Sequence, residues 1–244
     1  MKKRILRSNI TQGSLEEHIP DLIRLARDRS SAYVCMVNVH MLIEAYNSQE
    51  FQQVVNDATY AFPDGAPVAK MFKRVYGIQQ ERIAGMDFFP YFLEVCNKNS
   101  FKVALIGSTD DILDKICQKI NQELPQVEIS CAISPPFGQP WDNEAYIRAI
   151  NESGTNAVFV ALGCPKQEKW MNQFTDQIKA PLFGVGGAFP VYVGEIKRAP
   201  AWMQNTGLEW LYRLLQEPRR MFKRYFYTNS YFIFLATKQI LTKK

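Results

Sequence analysis

Asp64 stands in a tight turn, Pro63-Asp64-Gly65, directly after the apolar run Tyr60-Ala61-Phe62. A carboxylate at a strand end can serve as a general base toward a bound substrate. The same spacing suits an Asx turn or the N-cap of a helix beginning near Ala66, so both readings stand. Gly163-Cys-Pro-Lys-Gln-Glu168 puts Lys166, Gln167 and Glu168 in the first turn of a helix. Donors there can clamp a sugar or a phosphate, and Glu168 also suits plain capping of the helix start. Gly184-Val-Gly-Gly187 carries three glycines in four residues, so the backbone at Gly184, Gly186 and Gly187 can approach a ligand closely. Gly107-Ser-Thr-Asp110 is a weaker anion site of the same kind. Asn38 closes another strand, and Arg82 precedes Ile-Ala-Gly85.

Other chemistries lack their residues. There is no Asp-x-Asp, so a metal-assisted nucleotide-sugar site of that kind is not indicated and no metal is expected. The two His, at 18 and 40, and the missing G-x-S-x-G argue against a hydrolase triad. The missing G-x-G-x-x-G counts against a nicotinamide or flavin cofactor, and none is expected. Five Cys without a C-x-x-C pair fit reduced thiols better than disulfides or zinc.

The elements that hold these residues alternate from about residue 31 to 186. Tyr33–Val37, Phe101–Gly107, Val127–Cys131, Ala157–Leu162 and Pro181–Val185 read as strands. Helical patterns follow them from Met41, at 110–123, at 143–151 and after Pro165. Strands apolar on both faces and separated by helices predict an α/β fold, a Rossmann-like parallel sheet with helices on both faces. Ligands then sit beyond the carboxyl ends of the strands, where Asn38, Asp64, Gly107, the 163–168 segment and Gly184–Gly187 fall.

The 244 residues suffice for one sizeable core. Composition shifts near 195–200, which divides the chain into a core, 1–195, and an appendage, 196–244. The appendage holds ten Lys or Arg, two acids and ten of the 31 aromatics, a net of +8 against −3 for the first 196 residues. On a helical wheel Trp210, Leu211, Leu214, Leu215, Pro218, Met221, Phe222 and Tyr225 share one arc, opposite Arg213, Arg219, Arg220, Lys223 and Arg224. Pro218 starts a second helix or kinks the first. This predicts a helical, amphipathic appendage that either packs on the core or lies on an anionic membrane. No apolar run is long enough to span a bilayer, and the N-terminus shows no secretory signal.

Taken together, Pro63-Asp-Gly65, Arg82-x-x-Gly85, Leu162-Gly-Cys-Pro-Lys-Gln-Glu168, Gly184-Val-Gly-Gly-Ala-Phe189, Arg198-Ala-Pro200, Gly207-Leu-Glu-Trp-Leu-Tyr-Arg213 and Glu217-Pro-Arg-Arg220 resemble the WecG/TagA/CpsF group of bacterial glycosyltransferases, glycosyltransferase family 26. The resemblance implies inverting, metal-independent transfer from a UDP-sugar to an undecaprenyl-diphosphate-linked sugar such as N-acetylglucosamine. It implies N-acetylmannosamine or its uronic acid as the donor sugar, in teichoic acid or other cell-surface polysaccharide synthesis. It places the base on Asp64, substrate contacts on Asn38, Arg82 and Gln167, and donor-diphosphate contacts among Arg213, Arg220 and Arg224. It implies a cytoplasmic protein, peripheral on the inner face of the cell membrane, binding no nucleic acid and with homo-oligomers left open. Met36 stands where the family often has Thr, and Met86 where it often has a small residue, so both bear on the sugar pocket. The competing readings are a nucleotide-binding oxidoreductase on a similar sheet and a nucleic-acid-binding module using the basic tail.

Overall fold

The computed structural model describes residues 1–242; the side chains at 201, 205, 220, 223 and 224 lie outside the described set. The chain opens with a hairpin, β1 (Lys2–Ile5) and β2 (Ser8–Thr11), then α1 (Leu15–Arg27). The first sheet strand is β3 (Ala32–Val37), followed by α2 (Val39–Asn47), α3 (Gln49–Asp57), β4 (Tyr60–Pro63), α4 (Ala66–Tyr76) and α5 (Gly85–Lys98). Next come β5 (Lys102–Gly107), α6 (Asp110–Glu123), β6 (Glu128–Ile133), α7 (Asn143–Glu152), β7 (Ala157–Ala161), α8 (Lys166–Phe174), β8 (Pro181–Gly184) and α9 (Ala188–Tyr192). The chain ends in α10 (Ala201–Thr206), α11 (Glu209–Gln216) and α12 (Pro218–Thr242).

Six parallel strands form one sheet in the order β4-β3-β8-β7-β5-β6. Alternation along β3 explains why both faces are apolar. Tyr33, Cys35 and Val37 join the core under α2, α3 and α8. Ala32, Val34 and Met36 join the core under α1, α5 and α6. An aromatic stack, Phe88, Phe89, Phe92, Phe159 and Phe183, fills the second core. The parallel α/β architecture is the expected one. β6 differs from the expected buried strand: as an edge strand it pairs only with β5 and is half-exposed along its length.

The hairpin and α1 have no counterpart in the sequence reading. Four-residue strands are too short for a clear period; here Ile5 and Ile10 are fully buried, Arg4 is exposed, and Lys2 turns in to donate to the Asn56 and Ala58 carbonyls.

The tail also differs in detail. Glu217 breaks the helix between α11 and α12, so one wheel does not run across both. Met221 is buried, yet Leu215 is 70% exposed and Phe222 62% exposed. Further along α12, Phe232, Leu235 and Ala236 enter the core against α2. Gln239 then clamps the hairpin: its Oε1 accepts from the Leu6 N–H and its Nε2 donates to the Arg4 carbonyl. The beginning and end of the chain are thus tied together. Among the described residues no helix is long and apolar enough to cross a membrane.

Candidate active site

Asp64 leaves β4 with its N–H donating to the Val37 carbonyl at 3.0 Å, which fixes the turn beside the end of β3. The N-cap of α4 is Gly65, with no side-chain cap bond, so the Asp64 carboxyl is not spent on capping. It meets the Asn38 side chain instead. Asn38 caps α2, its Oδ1 accepting from the Met41 N–H at 3.1 Å, which leaves the amide nitrogen for Asp64. Burial pushes the Asp64 carboxyl up to about 6, and the Glu209 charge pushes the same way; Arg82, the Asn38 hydrogen bond and Arg213 pull it down. A carboxyl in that range is mostly ionised at neutral pH and still basic enough to accept a proton.

Arg82 is held by two acids: Nη1 lies 3.0 Å from Glu209 Oε2, and Nη2 lies 3.1 Å from Asp87 Oδ2. Arg198 pairs with the same two acids. This four-charge ring ties α11 of the tail to α5 of the core. Glu209 Oε1 and Arg198 Nε face each other 3.7 Å apart, both buried and without a hydrogen bond. Asp87, Glu209 and Arg198 were not among the expected site residues. The last two lie inside segments that carry the resemblance, so the signal was present as a pattern without a role.

Gln167 and Glu168 are both buried at the start of α8. Gln167 Nε2 donates to Glu168 Oε1 at 2.8 Å, and its Oε1 accepts from the Gly186 N–H at 3.0 Å. The buried carboxylate thereby fixes which way the Gln167 amide points. The glycines serve close approach. A Cβ at Gly184 would lie 2.6 Å from Gln167 Nε2, and one at Gly187 would lie 2.6 Å from Arg213 Nη2. Gly107 meets a different need: at φ +108°, its Cβ would lie 2.4 Å from the Ala161 carbonyl oxygen of the neighbouring strand. Arg220 and Arg224 lie on α12, and their side chains fall outside the described residues.

Two cavities meet at these residues. One, of about 330 Å³, lies beyond the ends of β3, β7 and β8, against Met36, Gln167 and Gly184–Gly187. The other, of about 280 Å³, lies between the start of α4 and the tail, against Trp210, Tyr225, Phe232 and Ile233. Asn38, Asp64, Met86 and Arg213 line both. The first is polar and glycine-lined, at the sheet edge where α/β folds bind ligands. The second has an apolar wall. Among the described residues no three His, Cys, Asp or Glu side chains gather as a metal site.

A parallel α/β sheet with two adjoining cavities beyond its carboxyl ends and a carboxylate on their shared wall has the layout of a group-transfer enzyme; this one is a glycosyltransferase. The chain belongs to the Glycosyl transferase WecG/TagA/CpsF family, which it matches over residues 3–244. It is 33% identical over 216 residues to the N-acetylglucosaminyldiphosphoundecaprenol N-acetyl-beta-D-mannosaminyltransferase of Bacillus subtilis (strain 168), covering 87% of this chain and 81% of that protein. The enzyme of the same name from Bacillus spizizenii is 30% identical over 190 residues, 78% of this chain and 73% of its own. Membership of this family sets aside the oxidoreductase and nucleic-acid readings.

Proposed function

We propose that this enzyme transfers N-acetylmannosamine from a UDP-sugar to the N-acetylglucosamine of an undecaprenyl-diphosphate-linked acceptor, inverting the anomeric centre and using no metal. The acceptor and the transferred sugar follow the names of the two Bacillus relatives. The observation that carries the mechanism is the place of Asp64, on the wall shared by the two cavities. The polar cavity takes the donor and the apolar-walled cavity takes the acceptor sugar. Asp64 removes the acceptor hydroxyl proton, and that oxygen attacks the anomeric carbon on the face opposite UDP. The bond to UDP breaks and its electron pair leaves on the diphosphate. Arg213, beside Gly187, meets that charge, with Arg220 and Arg224 of α12 as further candidates. Met36 lines only the donor cavity and Met86 lines both, so these two shape the space around the transferred sugar.

A lipid-linked acceptor is met at the membrane. The basic tail and its exposed side chains Phe222, Phe226, Ile233 and Phe234 support a peripheral contact with an anionic bilayer. The test is UDP release with a panel of UDP-sugars and a short-chain lipid-diphosphate-N-acetylglucosamine, with and without EDTA. Release with UDP-N-acetylmannosamine that survives EDTA is expected. Release that stops with EDTA and returns with Mg²⁺ overturns the metal-free step, and no release with any UDP-sugar overturns the reading of the donor.

A further inference from the structure

A groove of about 790 Å³ runs along α4 on the far side of Arg82 from the catalytic carboxylate. Lys70, Lys73, Arg74 and Arg82 line it, with Gln79 and Gln80, and no carboxylate does. The Gln80 amide is spent on Gly13 and the Glu81 carbonyl, so it shapes the wall rather than the contents. Arg82 is committed to Asp87 and Glu209. Lys70, Lys73 and Arg74 make no ion pair among the described residues. α4 itself carries no acid along its whole length. The groove is therefore a concave surface with three uncommitted cations.

Its position is informative. Ala66 and Arg82 line both the groove and the apolar-walled cavity, so the two adjoin across the first turn of α4. Gly207, at the α10–α11 junction, closes against this turn: a Cβ there would lie 3.1 Å from Ala66 Cβ and 3.8 Å from Lys70 Nζ. Ile233, 64% exposed, stands on the α12 side of the same cavity. A sugar seated in the cavity with its hydroxyl at Asp64 thus has cations on one side of its exit and an apolar helix on the other.

We propose that Lys70, Lys73 and Arg74 form a subsite for the diphosphate of the acceptor, which joins the acceptor sugar to its lipid. This rests on the acceptor proposed above and deepens it. The shared chemistry is a phosphate ester at an apolar mouth, and bilayer headgroups are the other source. A diphosphodiester carries two negative charges, and three cations within about one turn of one helix can meet both. Specificity follows from the arrangement: a free sugar of the same kind fills the cavity without reaching the groove.

The test is the triple variant Lys70→Gln/Lys73→Gln/Arg74→Gln in the full chain, assayed in detergent micelles. The expected result is a rise of about tenfold in the KM for the lipid-diphosphate acceptor, with kcat and the donor KM unchanged. The Ki of an alkyl N-acetylglucosaminide, which lacks the diphosphate, stays as in wild type. Sedimentation with phosphatidylglycerol vesicles also stays as in wild type. An unchanged acceptor KM overturns the subsite, and so does equal weakening of the diphosphate acceptor and the glycoside. Loss of vesicle binding with a normal KM in micelles assigns the groove to headgroups and overturns it as well. If the triple variant has a lowered melting temperature, the single Lys73→Gln and Lys73→Arg carry the test, with Lys73→Arg expected to keep the wild-type KM. Failure of the wild-type enzyme to use the acceptor at all strikes the proposed function rather than the groove.

Discussion

Glu209 of α11 and Arg82 of the loop before α5 lie 3.0 Å apart, and this contact joins the tail to the loop beside Asp64. Both residues also act on the Asp64 charge, in opposite senses. The tail therefore does more than cover the site: through Glu209 and Arg213 it adds charge around Asp64.

The first prediction follows from that coupling. With Asp64 as an ionised base, kcat/KM should rise with pH through about 6. Asp64 is faced by Asn38, Arg82, Glu209 and Arg213. Glu209→Gln removes a charge that adds to burial in raising its pKa, and leaves Arg82, which lowers it, paired with Asp87 alone. The acidic limb of the kcat/KM profile should shift to lower pH, and Arg82→Gln should shift it upward. A limb that stays in place in both variants separates Glu209 from the base.

Asp64→Asn should keep UDP affinity and lower turnover by ~10²–10⁴-fold. It should also stabilise the protein. A carboxyl raised from 3.8 to about 6 on folding favours the folded state while protonated, and that stability is lost as pH rises through the window from 3.8 to 6. The loss is on the order of 2–3 kcal/mol at neutral pH. Melting temperatures of the two proteins should agree near pH 4, with Asp64→Asn the higher at pH 8. A wild type that is the more stable at pH 8 contradicts the buried, raised carboxyl.

Gly187→Ala tests the other end of the site. The new methyl meets the tip of Arg213, a flexible side chain, so the fold gives way cheaply while the guanidinium moves. About tenfold loss in kcat/KM toward the donor is expected, equivalent to ~1.4 kcal/mol of transition-state binding. The readout is donor kinetics beside a melting curve. An equal loss toward both substrates, or a cooperative loss of fold, contradicts a local effect on Arg213.

The sheet was legible because its strands are apolar on both faces, as β5 and β7 show, and because glycine, proline and polar residues crowd their carboxyl ends. Asp64 and Asn38 were legible for the same reason, since each follows a strand directly, and Gln167 because it lies in the first turn of the helix after β7. Glu209 and Arg198 were not, because their meaning is a partner more than ten residues away or on another helix. Local spacing carries no trace of such a pair. The path of α12 was hidden in a similar way. Its core residues against α2, Phe232, Leu235 and Ala236, sit among exposed aromatics. Only the contact with α2 tells them apart.

That division of α12 decides how membrane attachment must be tested. Removing residues 209–244 strips Phe232, Leu235 and Ala236 from the core and Gln239 from the hairpin, so a truncated chain should lose its fold as well as its tail. Substituting the exposed side chains leaves the core intact. Phe222→Ser, Phe226→Ser, Ile233→Ser and Phe234→Ser change residues that are each more than half exposed. Surface changes of this kind typically move stability by about 0.5 kcal/mol or less each. Attachment should draw on these apolar side chains together with the basic charge of the tail, at roughly 1 kcal/mol per cation near an anionic surface. The quadruple variant should keep its melting temperature and its UDP binding, and lose co-sedimentation with anionic vesicles. Raising the salt should weaken wild-type binding to the same vesicles, because the Lys and Arg contribution is screened. A folded quadruple variant that still binds anionic vesicles as wild type does would show that the bilayer contact lies elsewhere on the molecule.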